Sequence, residues 1–144
     1  MISIETARKL KQAGLAWKPQ RDDCFIAPDR GMDDTIFVLN NMTIQYEILQ
    51  GHPAITFNGA TEWALDYIFQ VETLWLPREE QLRALLENTI KQINADATFC
   101  LTNKPGGYLC IIDTANGRET YEGNSASDAY AEALFYLYLQ KNKA

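Results

Sequence analysis

The sequence predicts an α+β fold in which helices pack on mainly antiparallel sheet, as one domain over residues 1–144. The predicted elements follow the order α-β-β-β-β-α-α-β-β-β-α, which lacks the regular βαβ alternation of a parallel doubly wound sheet. An Asn-Gly pair at 116–117 lies between β-rich segments, and this pair is typical of an antiparallel hairpin. A division into sublobes 1–94 and 95–144 is the alternative to one undivided domain.

The N-terminal part of the chain predicts one helix followed by four short strands. Ser3 suits the N-cap of a helix in SIETARKLKQAG, and Gly14 is its expected end. The strands are CFIA at 24–27, TIFVLN at 35–40, MTIQYEIL at 42–49 and AITFN at 54–58. MTIQYEIL alternates apolar and polar residues, which is the pattern of a half-buried strand. The Asn40-Asn41 pair supplies a tight turn before it, and a bend in one long strand is the alternative.

The remaining elements are two helices, three strands and a terminal helix. Asn58 can cap a helix from about Ala60 to Gln70. VETLWLP then forms a connection or a short strand, and Pro77 begins a strongly amphipathic helix. ATFCLTN and YLCIIDT predict a hairpin, and ETYEG predicts the strand after it. Ser125 and Asp128 match a capping box at the start of the terminal helix.

Composition and charge exclude several classes of function. The net charge is −6, and Lys and Arg are scattered, so we expect no nucleic-acid binding. No apolar run approaches the roughly 20 residues that a membrane-spanning helix needs, and we expect no membrane association. The first residues carry charges throughout and lack the apolar segment of a secretory signal, so the expected location is cytoplasmic.

Motifs that mark enzymes and cofactor sites are missing from the sequence. There is no GxGxxG, P-loop, GxSxG or HExxH, so we expect no cofactor, no metal site and no catalytic residue. His52 is the one histidine and lies in the turn sequence QGHPA, where a structural role is the commoner one. The acidic loop at 22–34 resembles a cation loop in composition, but its spacing is not that of an EF-hand, so we expect a solvated loop.

The three cysteines predict free thiols. Cys24, Cys100 and Cys110 form no CxxC pair, and one histidine cannot complete a Cys/His zinc site. If a three-residue loop closes the hairpin, Cys100 and Cys110 lie directly opposite one another. In a reducing compartment we expect proximity without a bond.

The terminal helix is the first candidate for a binding surface. From Ala129 to Leu139 only Glu132 is charged, and large apolar residues cover most of the circumference. A helix that is apolar all round is either deeply buried or shared with a partner. We therefore expect Tyr130, Tyr136 and Tyr138 to contact another chain, most simply in a homodimer.

The segment from Asn58 to Asp66 is the second candidate. Glu62 and Asp66 are four residues apart in the predicted helix, so both carboxylates lie on one side of it. Trp63 lies beside them and suits either core packing or an aromatic wall. A pocket at this helix start, with Asn58, Glu62, Trp63 and Asp66 around it, would serve a small-ligand binder or a minor hydrolase.

Four segments carry a resemblance to a known group of proteins. MISIETARKLKQAGLAW, DDCFIAPDRGMDD, FNGATEWALD and LWLPREEQLRALL resemble a small family of uncharacterised bacterial proteins, some of which are labelled as pilus assembly proteins. The resemblance implies a bacterial origin and brings no catalytic or binding residue with it. The chain lacks the P-loop of a pilus-assembly ATPase.

Together these observations predict a small acidic cytoplasmic protein that binds another protein without catalysis. The partner is either a different protein or a second copy that associates through the terminal helix. The alternative is the small-ligand or hydrolase site near residues 58–66.

Overall fold

The computed structural model describes residues 1–58 and 66–143, which contain three α-helices and nine β-strands. The helices are α1 (Ile4–Gln12), α2 (Glu79–Ile93) and α3 (Ala126–Lys143). The strands are β1 (Cys24–Ile26), β2 (Phe37–Val38), β3 (Ile44–Leu49), β4 (His52–Phe57), β5 (Tyr67–Phe69), β6 (Leu74–Leu76), β7 (Thr98–Lys104), β8 (Gly107–Thr114) and β9 (Gly117–Gly123). One turn of 3-10 helix, Gln70–Glu72, lies between β5 and β6.

The strands form three antiparallel sheets of three strands each. Their orders are β2-β1-β6, β3-β4-β5 and β7-β8-β9. Every pairing is antiparallel, and the predicted α+β class is thereby confirmed. The chain divides into two compact units, Trp17–Leu76 and a second one made of Met1–Ala16 with Pro77–Ala144. These boundaries differ from the division near residue 94 that the sequence suggested.

The unit Trp17–Leu76 contains two sheets and an aromatic core. Phe25 is fully buried and packs on three other rings, with centroid distances of 5.6 Å to Trp17, 5.5 Å to Phe37 and 6.4 Å to Phe57. Trp75 of β6 stacks on Trp17 at 6.3 Å with an interplanar angle of 10°. Trp75 is therefore a packing residue of this unit, held in a strand.

The other unit is built around the terminal helix. α3 packs against strands β8 and β9 and against helices α1 and α2. Polar contacts fix its two ends, since Ser3 N donates to Asp128 Oδ1 at 2.9 Å and Asn142 Nδ2 donates to Ala13 O at 2.9 Å. Between them, Lys9 and Glu132 form an ion pair of 2.8 Å. The apolar circumference of α3 is thus mostly covered within the same chain.

Local sequence features account for several element boundaries. Ser3 caps α1 by accepting a hydrogen bond from Thr6 N at 3.2 Å, and Gly14 after the helix has φ of +110°, which suits glycine. The Asn40 side chain accepts from the backbone N–H groups of Met42 and Thr43 at 2.8 Å and 2.7 Å. The predicted turn at Asn40 is therefore present.

The segment before β6 differs from expectation. Tyr67–Phe69 form strand β5, where the sequence predicted the end of a helix. Ala54–Thr56 of β4 pair with these residues, and this contact between distant segments outweighs the local helical pattern. Residues 60–65 of the expected helix lie outside the described residues.

The β7–β8 hairpin closes with the two-residue loop Pro105-Gly106, since Lys104 pairs with Gly107. Cys100 therefore lies opposite Ile111, and Cys110 lies opposite Leu101. Direct opposition of the two cysteines required a three-residue loop, which is not present, so they lie one residue out of register and their side chains point to opposite faces of the sheet. Cys100 is exposed, and Cys110 is buried.

No helix within residues 1–58 and 66–143 has both the length and the apolar character to cross a bilayer.

Candidate functional site

Strand β3 forms an edge of the sheet β3-β4-β5. An edge strand has a row of backbone N–H and C=O groups that no neighbouring strand pairs, and such a row is a template for another chain. β3 is six residues long, and within residues 1–58 and 66–143 it pairs on one side only, with β4. The outer side of β3 is therefore a candidate site for binding.

The hydrogen bonds around β3 show which residues face outward. Asn58 N donates to Thr43 O at 2.7 Å, so the backbone of Thr43 faces β4. The backbone N–H and C=O groups of successive residues point alternately to the two sides of a strand. Those of Gln45 and Glu47 therefore also face β4, and those of Tyr46 and Ile48 face away from it. Ile44 O also points outward and accepts from Asn40 N at 2.7 Å. The turn at Asn40 thus closes one end of the edge and leaves Tyr46 and Ile48 open.

The side chains of the two open residues are also accessible. Tyr46 is 42% exposed and Ile48 is 58% exposed. They share a face with Ile55 and Pro53, their partners on β4. Ile55 is fully buried in the core, whereas Ile48 and Pro53 on the same face are exposed. The open backbone therefore lies beside an apolar surface that an added strand would cover.

A shallow groove of about 290 Å³ lies along this part of β3. Its lining residues are Pro19, Gln20, Arg21, Leu39, Asn40, Asn41, Gln45, Tyr46 and Glu47. Most of these side chains are polar. Sites for small molecules are mostly apolar with few polar groups, so this lining suits a polar chain better than a small apolar ligand.

Two opposite charges in the groove lining are without a partner among the described residues. Neither Arg21 nor Glu47 forms an ion pair or a side-chain hydrogen bond with any residue of the described part of the chain. Both side chains are exposed. The groove therefore offers one cationic and one anionic group to a ligand.

The far wall of the groove is fixed by hydrogen bonds to a buried carboxylate. Asp23 is 1% exposed, and its Oδ2 accepts from Trp17 Nε1 and from Gln20 N, each at 2.9 Å. Asp22 N donates to Leu39 O, and Leu39 N donates to Asp23 O, again at 2.9 Å. The two wall segments at 19–21 and 39–41 are thereby tied to each other beside β3.

The pocket expected near residues 58–66 is only partly described. Asn58 is exposed, and its Nδ2 lies 3.5 Å from Gln45 Oε1. Asp66 is exposed, and its backbone O accepts from Phe57 N at 2.9 Å. Glu62 and Trp63 lie outside the described residues. Neither Asn58 nor Asp66 is among the described residues that line the groove beside β3.

The three tyrosines of α3 have different environments. Tyr130 is 6% exposed and meets the Phe99 ring edge-on at 6.2 Å, so it lies in the core of its own chain. Tyr138 is half-buried, and burial raises its pKa, as burial also does for Tyr130. Tyr136 is 46% exposed and stacks on Tyr121 at 5.5 Å. Of the three, Tyr136 alone presents a largely free ring.

The other candidates in the sequence show structural surroundings. His52 is exposed and meets the ring of Phe69 edge-on at 5.9 Å. In the acidic loop, Asp33 Oδ1 accepts from Asp29 N at 3.0 Å, which is a turn contact. No group of three metal-ligating side chains occurs among the residues that the structure describes.

Sequence reasoning recognised β3 and its alternation but missed its role as an edge. The pattern Tyr46-Glu47-Ile48, with two large apolar residues around a charge, was the available indication. Strand order decides which strand is an edge, and one sequence does not contain it.

No protein-family model, curated protein or solved structure matches the chain.

Proposed function

We propose that this protein binds another protein, by taking an extended segment of the partner along the open edge of β3. The observation that carries the proposal is the outward backbone of Tyr46 and Ile48 beside a groove. In this mode of recognition, main-chain hydrogen bonds supply affinity and alternate side chains supply specificity. The protein thus acts as a binding or accessory factor without catalysis.

The groove indicates the chemistry of the bound segment. Arg21 would pair with a carboxylate of the segment, and Glu47 would pair with a basic side chain. The polar lining from Gln20, Asn40 and Asn41 would hydrogen-bond the segment's backbone or side chains. The partner segment is therefore an extended peptide that carries both an acidic and a basic residue.

A second copy of β3 is a poorer occupant than a different protein. An antiparallel pair that uses both open residues would place Tyr46 opposite Ile48 of the copy. Glu47 would then lie directly opposite Glu47 of the copy, and like charges in that position destabilise a sheet. The occupant favoured by charge is a heterologous peptide.

The cellular location of the protein is inferred from its cysteines and from the resemblance to a bacterial family. We infer a cytoplasmic protein of bacterial origin, because the thiols of Cys24, Cys100 and Cys110 are all free and four segments resemble a bacterial family. We further infer that nucleic acid is not the partner, because Arg21 is the one cationic side chain among the described residues of the groove lining.

A peptide selection tests the proposal. The probe is a library of random linear peptides displayed on phage, selected on the wild-type protein. We expect the enriched peptides to lose binding to the Ile48→Pro variant, because proline removes the outward N–H of Ile48 while leaving the bonds to β4 in place. Binding is measured by calorimetry with synthetic peptides.

Two variants control this selection. Ile48→Ala keeps the N–H and should retain weaker binding, which separates backbone pairing from side-chain contact. Arg21→Glu should lower affinity for peptides with an acidic residue by roughly tenfold, as expected for a charge-assisted pair. Equal binding to wild type and a folded Ile48→Pro variant would refute pairing at β3, as would a library that yields no binder.

The small-ligand or hydrolase function near residues 58–66 stays a prediction. No feature of the described residues adds support to it, since Asn58 and Asp66 are both exposed.

A further inference from the structure

Strand β7 is a second open edge, in the other unit of the chain. It forms one side of the sheet β7-β8-β9, and β9 forms the other. β9 carries Arg118, Glu119 and Glu122, and charges of this kind protect an edge against pairing. β7 has the sequence TFCLTNK, in which Lys104 at the end is the one charged residue. The two edges of this sheet are therefore unequal, and β7 is the unprotected one.

The closing turn of the hairpin shows which backbone groups of β7 are open. Lys104 and Gly107 flank a two-residue loop, so they form a hydrogen-bonded pair. By alternation along the strand, Thr102, Cys100 and Thr98 also face β8. Phe99 and Leu101 then direct their N–H and C=O groups away from the sheet.

We propose that a second copy of this chain pairs with β7, antiparallel and centred on Cys100, to give a continuous six-stranded sheet in a homodimer. In this register Phe99 lies opposite Leu101 of the copy, and both belong to the outward-facing set, as hydrogen bonding requires. Asp96 lies two residues before the strand, in the turn where its N donates to Asn94 Oδ1 at 3.0 Å, and this register brings that turn to Lys104 of the copy. Because the dimer is symmetric, each of these contacts occurs twice, once at either end of the paired β7 strands.

Burial supports this occupant. The central strand β8 is well covered on the face shared with α3, where Cys110 is fully buried and Ile112 is 4% exposed. On the same face of β7, Phe99 and Leu101 are only half-buried. A neighbouring β7 strand would cover these two side chains.

The proposed register also differs from the other symmetric registers of β7. A centre at Leu101 would place Lys104 opposite Thr98 and leave Asp96 without its partner. The Cys100 register alone pairs Asp96 with Lys104. Lys104 Nζ already lies 2.9 Å from Glu122 Oε1, so a carboxylate from the copy would join an existing ion pair.

A crosslinking experiment tests the register. Opposed residues in a non-hydrogen-bonded pair have Cα atoms ~4.5 Å apart, within the range of a disulfide. In a Cys24→Ser background, oxidation with copper–phenanthroline and oxygen should join two Cys100 thiols, which lose two protons and two electrons to the oxidant. A covalent dimer on a non-reducing gel is the expected result.

The matched control moves the thiol to the protected edge. Thr120 lies in the same row as Cys100 and Ile111, on the same face of the sheet, and it is also exposed. The variant Cys100→Ser with Thr120→Cys should not form the dimer. Equal crosslinking of the two variants would show random collision and overturn the proposal.

Charge reversal tests the same interface without oxidation. Asp96→Lys and Lys104→Glu should each weaken self-association severalfold in sedimentation equilibrium, because each places like charges opposite one another. The double variant should regain the wild-type dimer. A wild-type monomer at micromolar concentration would overturn the proposal. Self-association of both single variants that is as strong as in wild type would also overturn it.

Discussion

The indole Nε1 of Trp17 donates a hydrogen bond of 2.9 Å to Oδ2 of Asp23, a carboxylate that is 1% exposed. The same oxygen accepts from Gln20 N at 2.9 Å. This one buried carboxylate therefore joins the aromatic core to the loop that forms a wall of the groove beside β3. Core stability and groove shape are coupled through it.

Replacing Asp23 should destabilise the protein and disturb the groove. Asp23→Ala leaves Trp17 Nε1 and Gln20 N without their acceptor, which should lower the free energy of unfolding by about 2–3 kcal/mol. Asp34 is exposed, and Asp34→Ala should change the free energy by no more than about 0.5 kcal/mol. Urea unfolding followed by tryptophan fluorescence measures both variants. Equal effects would contradict the structural role of Asp23.

Tyr130 and Tyr136 should differ in their contribution to folding. Tyr130 is buried against Phe99, and Tyr130→Ala should cost about 3–5 kcal/mol, as for other large buried rings. Tyr136 is 46% exposed and stacks on Tyr121, so Tyr136→Ala should cost about 1 kcal/mol. Thermal unfolding by circular dichroism gives the comparison. A larger loss for Tyr136 would place its ring in an interface that the monomer does not show.

Gly123 is required by the close approach of β9 to α3. A Cβ at this position would lie 2.6 Å from the backbone carbon of Asp128 and closer still to Ala129 N. Neither atom can move without displacing the first turn of α3, so Gly123→Ala should destabilise by about 2–3 kcal/mol. Thr120→Ala on the same strand is the control and should cost less than about 1 kcal/mol. A Gly123→Ala protein as stable as wild type would show that β9 and α3 have room for a Cβ at this position.

The buried thiol of Cys110 should make stability fall at alkaline pH. Burial raises the pKa of Cys110 from 9.0 to about 12. Below pH 9.0 the thiol is protonated in both the folded and the unfolded protein. Between pH 9.0 and about pH 12 the thiol ionises in the unfolded protein but stays protonated in the folded protein. The contribution of Cys110 to stability is thus lost progressively as the pH rises through this range.

The variant Cys110→Ala isolates this effect. Its free energy of unfolding should fall less than that of wild type between about pH 7 and about pH 10.5. The exposed Cys100 should be alkylated by iodoacetamide in the native protein, and Cys110 only after unfolding. An identical pH dependence in the variant and the wild type would contradict the assignment to Cys110.

Local chemistry in the sequence was enough to predict many of the elements. The cap at Ser3, the turn at Asn40 and the strongly amphipathic helix after Pro77 depend on neighbouring residues, and the structure contains all three. The sequence did not predict β5, because Tyr67–Phe69 become a strand by pairing with β4. Propensity is a weak guide where such pairing decides.

The candidate sites were less predictable than the fold. Tyr130, proposed as an interface residue, is buried because sheet and helices of the same chain surround α3. The open edges β3 and β7 follow from strand order, which is a property of the whole sheet. The relative position of Cys100 and Cys110 likewise depends on the loop length of the hairpin, which fixes the register and which the sequence left open.

Amide hydrogen exchange of β3, with and without a peptide selected on the protein, tests the central proposal most directly. In the free protein we predict fast exchange at Tyr46 and Ile48 and slow exchange at Gln45 and Glu47, because only the latter pair with β4. Bound peptide should slow exchange at Tyr46 and Ile48 specifically. Unchanged exchange at both amides under saturating peptide, or protection confined to α3 around Tyr136, would contradict binding at the β3 edge.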